Sequence, residues 1–332
     1  MQFSASVKPA VGVVFDSDMG ESIDDALALA LLYGFDGKNE CRAVATTTTN
    51  SALNSAVYCD AVGRFYAGAV SGAIFAAGRA LPVGMLENGK AIDSPMLAVP
   101  LSRKTPAGVE VYPNAVKSVM DTADPRTVIR NALTAQHDGN AIIVLAGPAT
   151  NLAACFDLPD FKGWASRKVR YLVMVEHRLN TDVPAVRRLL TEWPGQIVLV
   201  GESVGSTTLF PGESIEKDFA WTPNHPVADA YRAFQTMPYD APTWSMAAVL
   251  QAIRPKEGYF KISKPGTLTI SDEGRLTLAP VPDGRHSVLA PDEAQRQRIV
   301  KVYTEVASAK PVPRLPRIRP QQQQEPPKPV SP

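Results

Sequence analysis

The stretch "VVFDSDMGESIDDALALA" (residues 13–30) decides how this 332-residue chain is read. An apolar run enters it and an alanine/leucine-rich run leaves it, while Asp16, Asp18, Glu21, Asp24 and Asp25 crowd the ten positions between. "VGVVF" has the unbroken apolar character of a strand covered on both faces, and the run from about Asp24 to Tyr33 has that of a buried helix. The carboxylates therefore stand where a strand ends and a helix begins, and in open α/β sheets ligands bind beyond the carboxyl ends of the strands. One of Asp24 and Asp25 is accounted for as a helix cap favouring the positive helix end. Four aspartates are not. Carboxylates packed this closely repel and raise one another's pKa unless a cation or hydrogen-bond donors compensate. An all-oxygen cluster suits a hard cation such as Ca2+ or Mg2+.

Outward from this stretch, short apolar runs alternate with helical patterns. "CRAVA" (41–45) precedes a helix over about 51–66, and "AIIVLA" (141–146) runs into "GPATNLAAC" (147–155). "VRYLVMV" (169–175) precedes "VPAVRRLLTEW" (183–193), and "QIVLVG" (196–201) follows. This alternation predicts βαβ units: an open, mostly parallel sheet flanked by helices. After about residue 255 the texture changes. "YFKISKPGTLTISDEGRLTLAPVPDG" (259–284) alternates between Pro-Gly, Glu-Gly and Asp-Gly turn signals and reads as a small antiparallel hairpin or meander. A last helix is expected over about 292–309. The organisation is an N-terminal extension (1–10), one α/β domain (11–310) and a Pro/Gln-rich tail (311–332) whose composition predicts disorder.

Composition narrows the class. With 45% hydrophobic and 20% charged residues the chain can bury a large core. A net charge of +1 without a basic stripe argues against nucleic acid or an anionic membrane as partner. No apolar run reaches the roughly 18 residues of a membrane span. "MQFSASVKPA" (1–10) has neither the basic nor the apolar segment of a signal peptide. Cys41, Cys59 and Cys155 are odd in number and lack metal-ligand spacing, so they are expected as buried thiols in a reducing, cytoplasmic setting.

Two chemistries use carboxylates at such a strand end. "VVFDSDMG" resembles the nucleophile loop of haloacid-dehalogenase-type phosphatases, with Asp16 as nucleophile and Asp18 as acid/base. Gly20 stands where that loop has Thr or Val, however, and the Asp24–Asp25 pair has no place in it. The fuller pattern, Asp16-x-Asp18-Met19-Gly20 followed by Asp24-Asp25-Ala26, resembles the DxDPGxDDA signature of the inosine/uridine-preferring nucleoside hydrolases, with a loop longer by two residues. Three further stretches resemble later landmarks of that family in the right order: "VLAGPATNLA" (144–153), "TEWPGQIVLVGESVG" (191–205) and "PTWSMAAVLQAIRP" (242–255). The resemblance covers about residues 11–309.

What it implies is an open, mainly parallel α/β sheet and Ca2+-dependent hydrolysis of the N-glycosidic bond of a ribonucleoside or related small ribosyl substrate, with Ca2+ expected over Mg2+. The water is metal-activated and the transition state oxocarbenium-like. By position, Asp18 is a Ca2+ ligand and the general base, Asp25 a second ligand, and the backbone carbonyl of Ala146 a third. Asp24 and Asn50 contact the ribose, and Asp16 supports the ligands from behind. The family is commonly oligomeric, which makes a homo-oligomer an implied state. The chain also departs from the pattern. Ser245 occupies the position of a metal-binding Asp, with Asp240 the nearest alternative carboxylate. "VMVEHRLN" (173–180) replaces the ribose clamp, leaving Asn180 for one contact and Glu176 as a carboxylate that can enter the pocket. His137, His225 and His286 sit in surface or structural contexts, so no histidine is in place to protonate a leaving base. Two alternatives stay open: a nucleoside-hydrolase-like protein that binds without catalysing, favoured by Ser245 and the rebuilt clamp, and the phosphatase.

Overall fold

Every residue of β1 (Val11–Ser17) is buried, as an apolar strand with layers on both faces must be. In this computed structural model the described residues are 10–67 and 81–312. The expected extension up to residue 9 and the tail from residue 313 lie outside them. After β1 come α1 (Ile23–Gly37), β2 (Cys41–Thr48), α2 (Leu53–Tyr66), β3 (Val83–Met85) and α3 (Pro95–Ser102). The middle of the chain forms α4 (Pro125–Thr134), β4 (Ala141–Leu145), α5 (Thr150–Ala154), α6 (Phe161–Lys168), β5 (Val169–Val175), α7 (Val183–Glu192) and β6 (Ile197–Val200). Four helices follow: α8 (Glu202–Thr207), α9 (Gly212–Lys217), α10 (Pro226–Phe234) and α11 (Trp244–Ile253). The chain then adds β7 (Lys261–Ile262), β8 (Gly266–Ile270), β9 (Leu276–Pro280), β10 (His286–Ala290) and α12 (Arg296–Ala307).

The strand order β3-β2-β1-β4-β5-β6-β10-β8-β9 makes an open sheet, parallel from β3 to β10. Successive residues of β1 feed opposite cores. Val13 and Phe15 join one with Leu27, Leu31, Met246 and Tyr303, and Val14 joins the other with Ile129, Leu152 and Leu189. α12 packs on α1 and its last turn is tied to the surrounding core, Tyr66 Oη donating to the Ala307 carbonyl (3.2 Å) and Trp221 Nε1 to the Ser308 carbonyl (2.9 Å).

The expected hairpin is β8–β9, but it is not a separate appendage. β10 pairs parallel with β6, His286–Leu289 lying opposite Ile197–Val200, and antiparallel with β7 and β8. The apolar side chains of β10 thereby extend the main sheet and carry the hairpin as its edge. The order of the strands reverses at β1, which lies between β2 and β4. Open α/β sheets bind ligands beyond the strand ends at such a switch point, and the acidic stretch leaves β1 there.

Candidate active site

β1 and β4 touch as they leave the sheet. A Cβ at Gly147 would lie 2.6 Å from the Asp18 backbone nitrogen, so only glycine permits this approach. Ala146 donates its N–H to the Asp16 carbonyl at 2.7 Å, which brings it alongside the cluster. The loop then turns through Gly20 at φ +112, and a side chain there would meet Leu97 Cδ1 at 2.6 Å. α1 is capped by Ser22, whose Oγ accepts the Asp24 N–H (3.2 Å), so neither aspartate is the N-cap. Asp24 and Asp25 enter the site instead.

All four aspartates are buried. Asp16 lies behind the others, its Oδ1 accepting from Thr47 Oγ1 (2.6 Å) and Asn151 Nδ2 (2.8 Å). Burial raises its pKa to about 6 against the pull of those two bonds. Asp24 turns to α11, where its Oδ2 accepts the Ser245 N–H and its Oδ1 the Met246 N–H (3.2 Å). Burial holds this carboxyl at about 7 despite these donors. Asp25 Oδ1 accepts from Ser245 Oγ at 2.8 Å. Burial, and then the charges of Asp18 and Asp24, push Asp25 well above the carboxylate range. Asp18 is raised by burial as well, while the Arg178 charge opposes the rise. Asp16 Oδ2, Asp18 Oδ2 and Asp25 Oδ2 are buried without a hydrogen-bond partner.

Arg178, which the sequence did not single out, reaches this cluster from the loop after β5. Its Nε lies 3.3 Å from Asp18 Oδ2 and its Nη1 2.7 Å from Glu21 Oε1. Beside it the His177 imidazole stacks flat on the Trp244 indole, with centroids 3.9 Å apart and planes within 1°. His177 Nδ1 is 3.2 Å from Glu202 Oε2, and Trp244 Nε1 donates to the Glu202 carbonyl (2.8 Å).

The remaining expected residues do not reach the cluster as ligands. Asn50 is buried and spends its whole amide on backbone: Nδ2 donates to the Met19 (2.8 Å) and Ile92 (2.9 Å) carbonyls, and Oδ1 accepts from Ala52 (2.9 Å) and Ile92 (2.8 Å). An amide has two donors and two acceptor sites, so none is left for a ribose. Glu176 accepts the Glu202 N–H (2.9 Å) at the start of α8, which turns it away from the cluster. Asn180 is exposed and packs against the β8–β9 turn at Gly274. Asp240 is also exposed, its Oδ1 accepting the Gly212 N–H (2.9 Å), and does not replace the absent carboxylate. His225 and His286 are buried structural residues. His225 Nδ1 accepts the Val227 and Ala228 N–H groups, with burial lowering its pKa to about 3, and His286 Nδ1 accepts from Leu268.

Only part of the donor set suits the expected calcium ion. The unpartnered oxygens of Asp18 and Asp25 suit a hard cation. The Ser245 hydroxyl, however, gives its proton to Asp25, and a guanidinium already faces Asp18. Among the described residues no three His, Cys, Asp or Glu side chains converge as a metal cage requires. As arranged, the cluster does not fit a calcium cage.

No family model matches the sequence, and no curated protein matches it. Solved structures do. A plant nucleoside hydrolase superposes with a TM-score of 0.64 at 16% identity, covering 91% of this chain and 100% of that one. The inosine-uridine preferring nucleoside hydrolase from Bacillus anthracis gives 0.61 at 16%, covering 90% and 99%. The type III effector protein XopQ, solved with adenosine diphosphate ribose, gives 0.63 at 11%, covering 92% and 96%. The chain has the fold of the nucleoside hydrolases.

Proposed function

We propose that the chain hydrolyses the N-glycosidic bond of a small ribosyl compound at the strand end of β1. The observation that carries this reading is the Asp18–Asp25 pair: two buried carboxyls, each with an oxygen that has no hydrogen-bond partner, at the switch point of a nucleoside hydrolase fold. Cleavage of such a bond passes through a ring with oxocarbenium character, which nearby carboxylates stabilise. Asp18 takes a proton from the attacking water, whose oxygen bonds the anomeric carbon as the C–N bond breaks; the bond's electron pair leaves on the nitrogen, which takes up a proton from solvent. The unpartnered Oδ2 of Asp25 is an acceptor for a sugar hydroxyl. No step is assigned to a metal, since the donor set does not fit one.

A second reading has its own support. With Ser245 in place of a carboxylate and Arg178 of the rebuilt segment set against Asp18, the chain has the marks of a protein that binds a ligand at the cluster and does not turn it over. The effector solved with adenosine diphosphate ribose shows that this fold accommodates such a ligand in another protein.

Release of free ribose from a panel of ribonucleosides, and of adenine from adenosine diphosphate ribose, tests both. Wild-type release that falls at least about 100-fold in Asp18→Asn supports hydrolysis with Asp18 as base. A rise in melting temperature with a ribosyl compound, without release, supports the binding reading. Neither effect with any compound sinks both.

A further inference from the structure

We infer that Arg178 is the resident cation of the acidic cluster: its guanidinium takes the place at Asp18 that a divalent ion would otherwise compete for, so the site is charge-compensated from within the chain. This rests on reading the cluster as the ligand site. The arginine bridges Asp18 (Nε to Oδ2, 3.3 Å) and Glu21 (Nη1 to Oε1, 2.7 Å), spanning the loop between β1 and α1. A guanidinium is charged at any physiological pH and is weakly hydrated, so it suits a site that excludes water. Its side chain is only 24% exposed, which places the charge under cover where screening is weak.

The segment around Arg178 is built to deliver it. Arg178 has φ +79, a left-handed conformation that a non-glycine residue adopts only when its surroundings impose it. Those surroundings are on both sides. Glu176 is fastened to the Glu202 N–H, and His177 is stacked on Trp244. Leu179 is buried in the core, and Thr181 donates both its N–H (3.1 Å) and its Oγ1 (2.7 Å) to the Arg178 carbonyl. Ser245 fits the same arrangement. A neutral hydroxyl that donates to Asp25 leaves the cluster with one charge fewer to compensate than an aspartate there would.

The test is calcium titration by calorimetry on the metal-stripped full chain, with melting temperature read in parallel. Four proteins are compared: wild type, Arg178→Gln, Ser245→Asp and the double variant. Gln keeps the stem and removes the charge, and circular dichroism on each variant checks folding. The expected result is that Arg178→Gln tightens calcium binding at least tenfold in the Ser245→Asp background and lowers the calcium-free melting temperature. Equal calcium affinity with and without Arg178 overturns the inference, as does no calcium binding by any folded variant. Either outcome leaves ribose release and ribosyl-induced thermal shifts to judge the ribosyl reading separately.

Discussion

The Ser245 hydroxyl donates to Asp25 Oδ1 at 2.8 Å, across 220 residues of chain. The Ser245 N–H goes to the adjacent Asp24, so two neighbouring carboxyls at the start of α1 hold the start of α11. At this contact the carboxylates are fasteners between helices as much as they are chemistry.

Ser245→Ala removes the hydroxyl and leaves a buried carboxyl oxygen without its donor. Such a loss costs about 1–3 kcal/mol. Urea denaturation is expected to show the midpoint falling with an unchanged m-value, and an unchanged midpoint contradicts the buried bond.

Asn50→Ala is expected to act on stability. The amide makes four bonds joining the Met19 loop, Ala52 and Ile92, and its removal is expected to cost about 3 kcal/mol or more by the same reckoning. A ribose-contacting asparagine would behave in the opposite way, weakening ligand binding while the melting temperature holds. Thermal melts with and without a ribosyl ligand separate the two.

Gly20→Ala places a Cβ on a backbone at φ +112 and against Leu97. The strain is expected to cost about 1–3 kcal/mol and to disturb the loop that presents Asp18. Gly108, also at positive φ but with open space around it, serves as the control, and its alanine variant is expected to lose less.

Stability should depend on pH in a direction unlike that of an ordinary ion-paired aspartate. Asp16 and Asp24 hold their protons more tightly folded than unfolded, rising from 3.8 to about 6 and about 7. Their contribution is therefore complete below pH 3.8 and is lost as the pH rises through 6 and 7. At about 1.4 kcal/mol per pH unit, each amounts to a few kcal/mol. The melting temperature is expected to fall between pH 5 and pH 8, and Asp24→Asn to flatten that fall. A wild-type melting temperature that climbs over this range would contradict the burial of these two groups as protonated acids.

Much of this architecture was legible because it is local. Apolar runs such as "AIIVLA" and turn signals such as Asp-Gly sit within a few residues of what they specify. The acidic stretch announced a site because five acids in ten positions demand compensation. What compensates them was not legible. Arg178 comes from a loop about 160 residues away, has no periodic pattern around it, and adopts a left-handed conformation that arginine does not advertise. Asn50 misled for the related reason that a buried amide and a ligand-binding amide look alike in sequence. Only its partners tell them apart. β10 lies beyond the expected hairpin at 259–284, and its pairing with β6 depends on register across the sheet, which "HSVLA" does not encode.

The docking of α12 onto α1 has a consequence for synthesis. α1, the helix bearing Asp24 and Asp25, is made before α12, yet the apolar core it belongs to includes Val302, Tyr303 and Val306 of that later helix. During translation the acidic helix end waits without these apolar neighbours. A nascent chain stalled before α12 would hold every aspartate of the cluster and lack part of the packing that covers their helix.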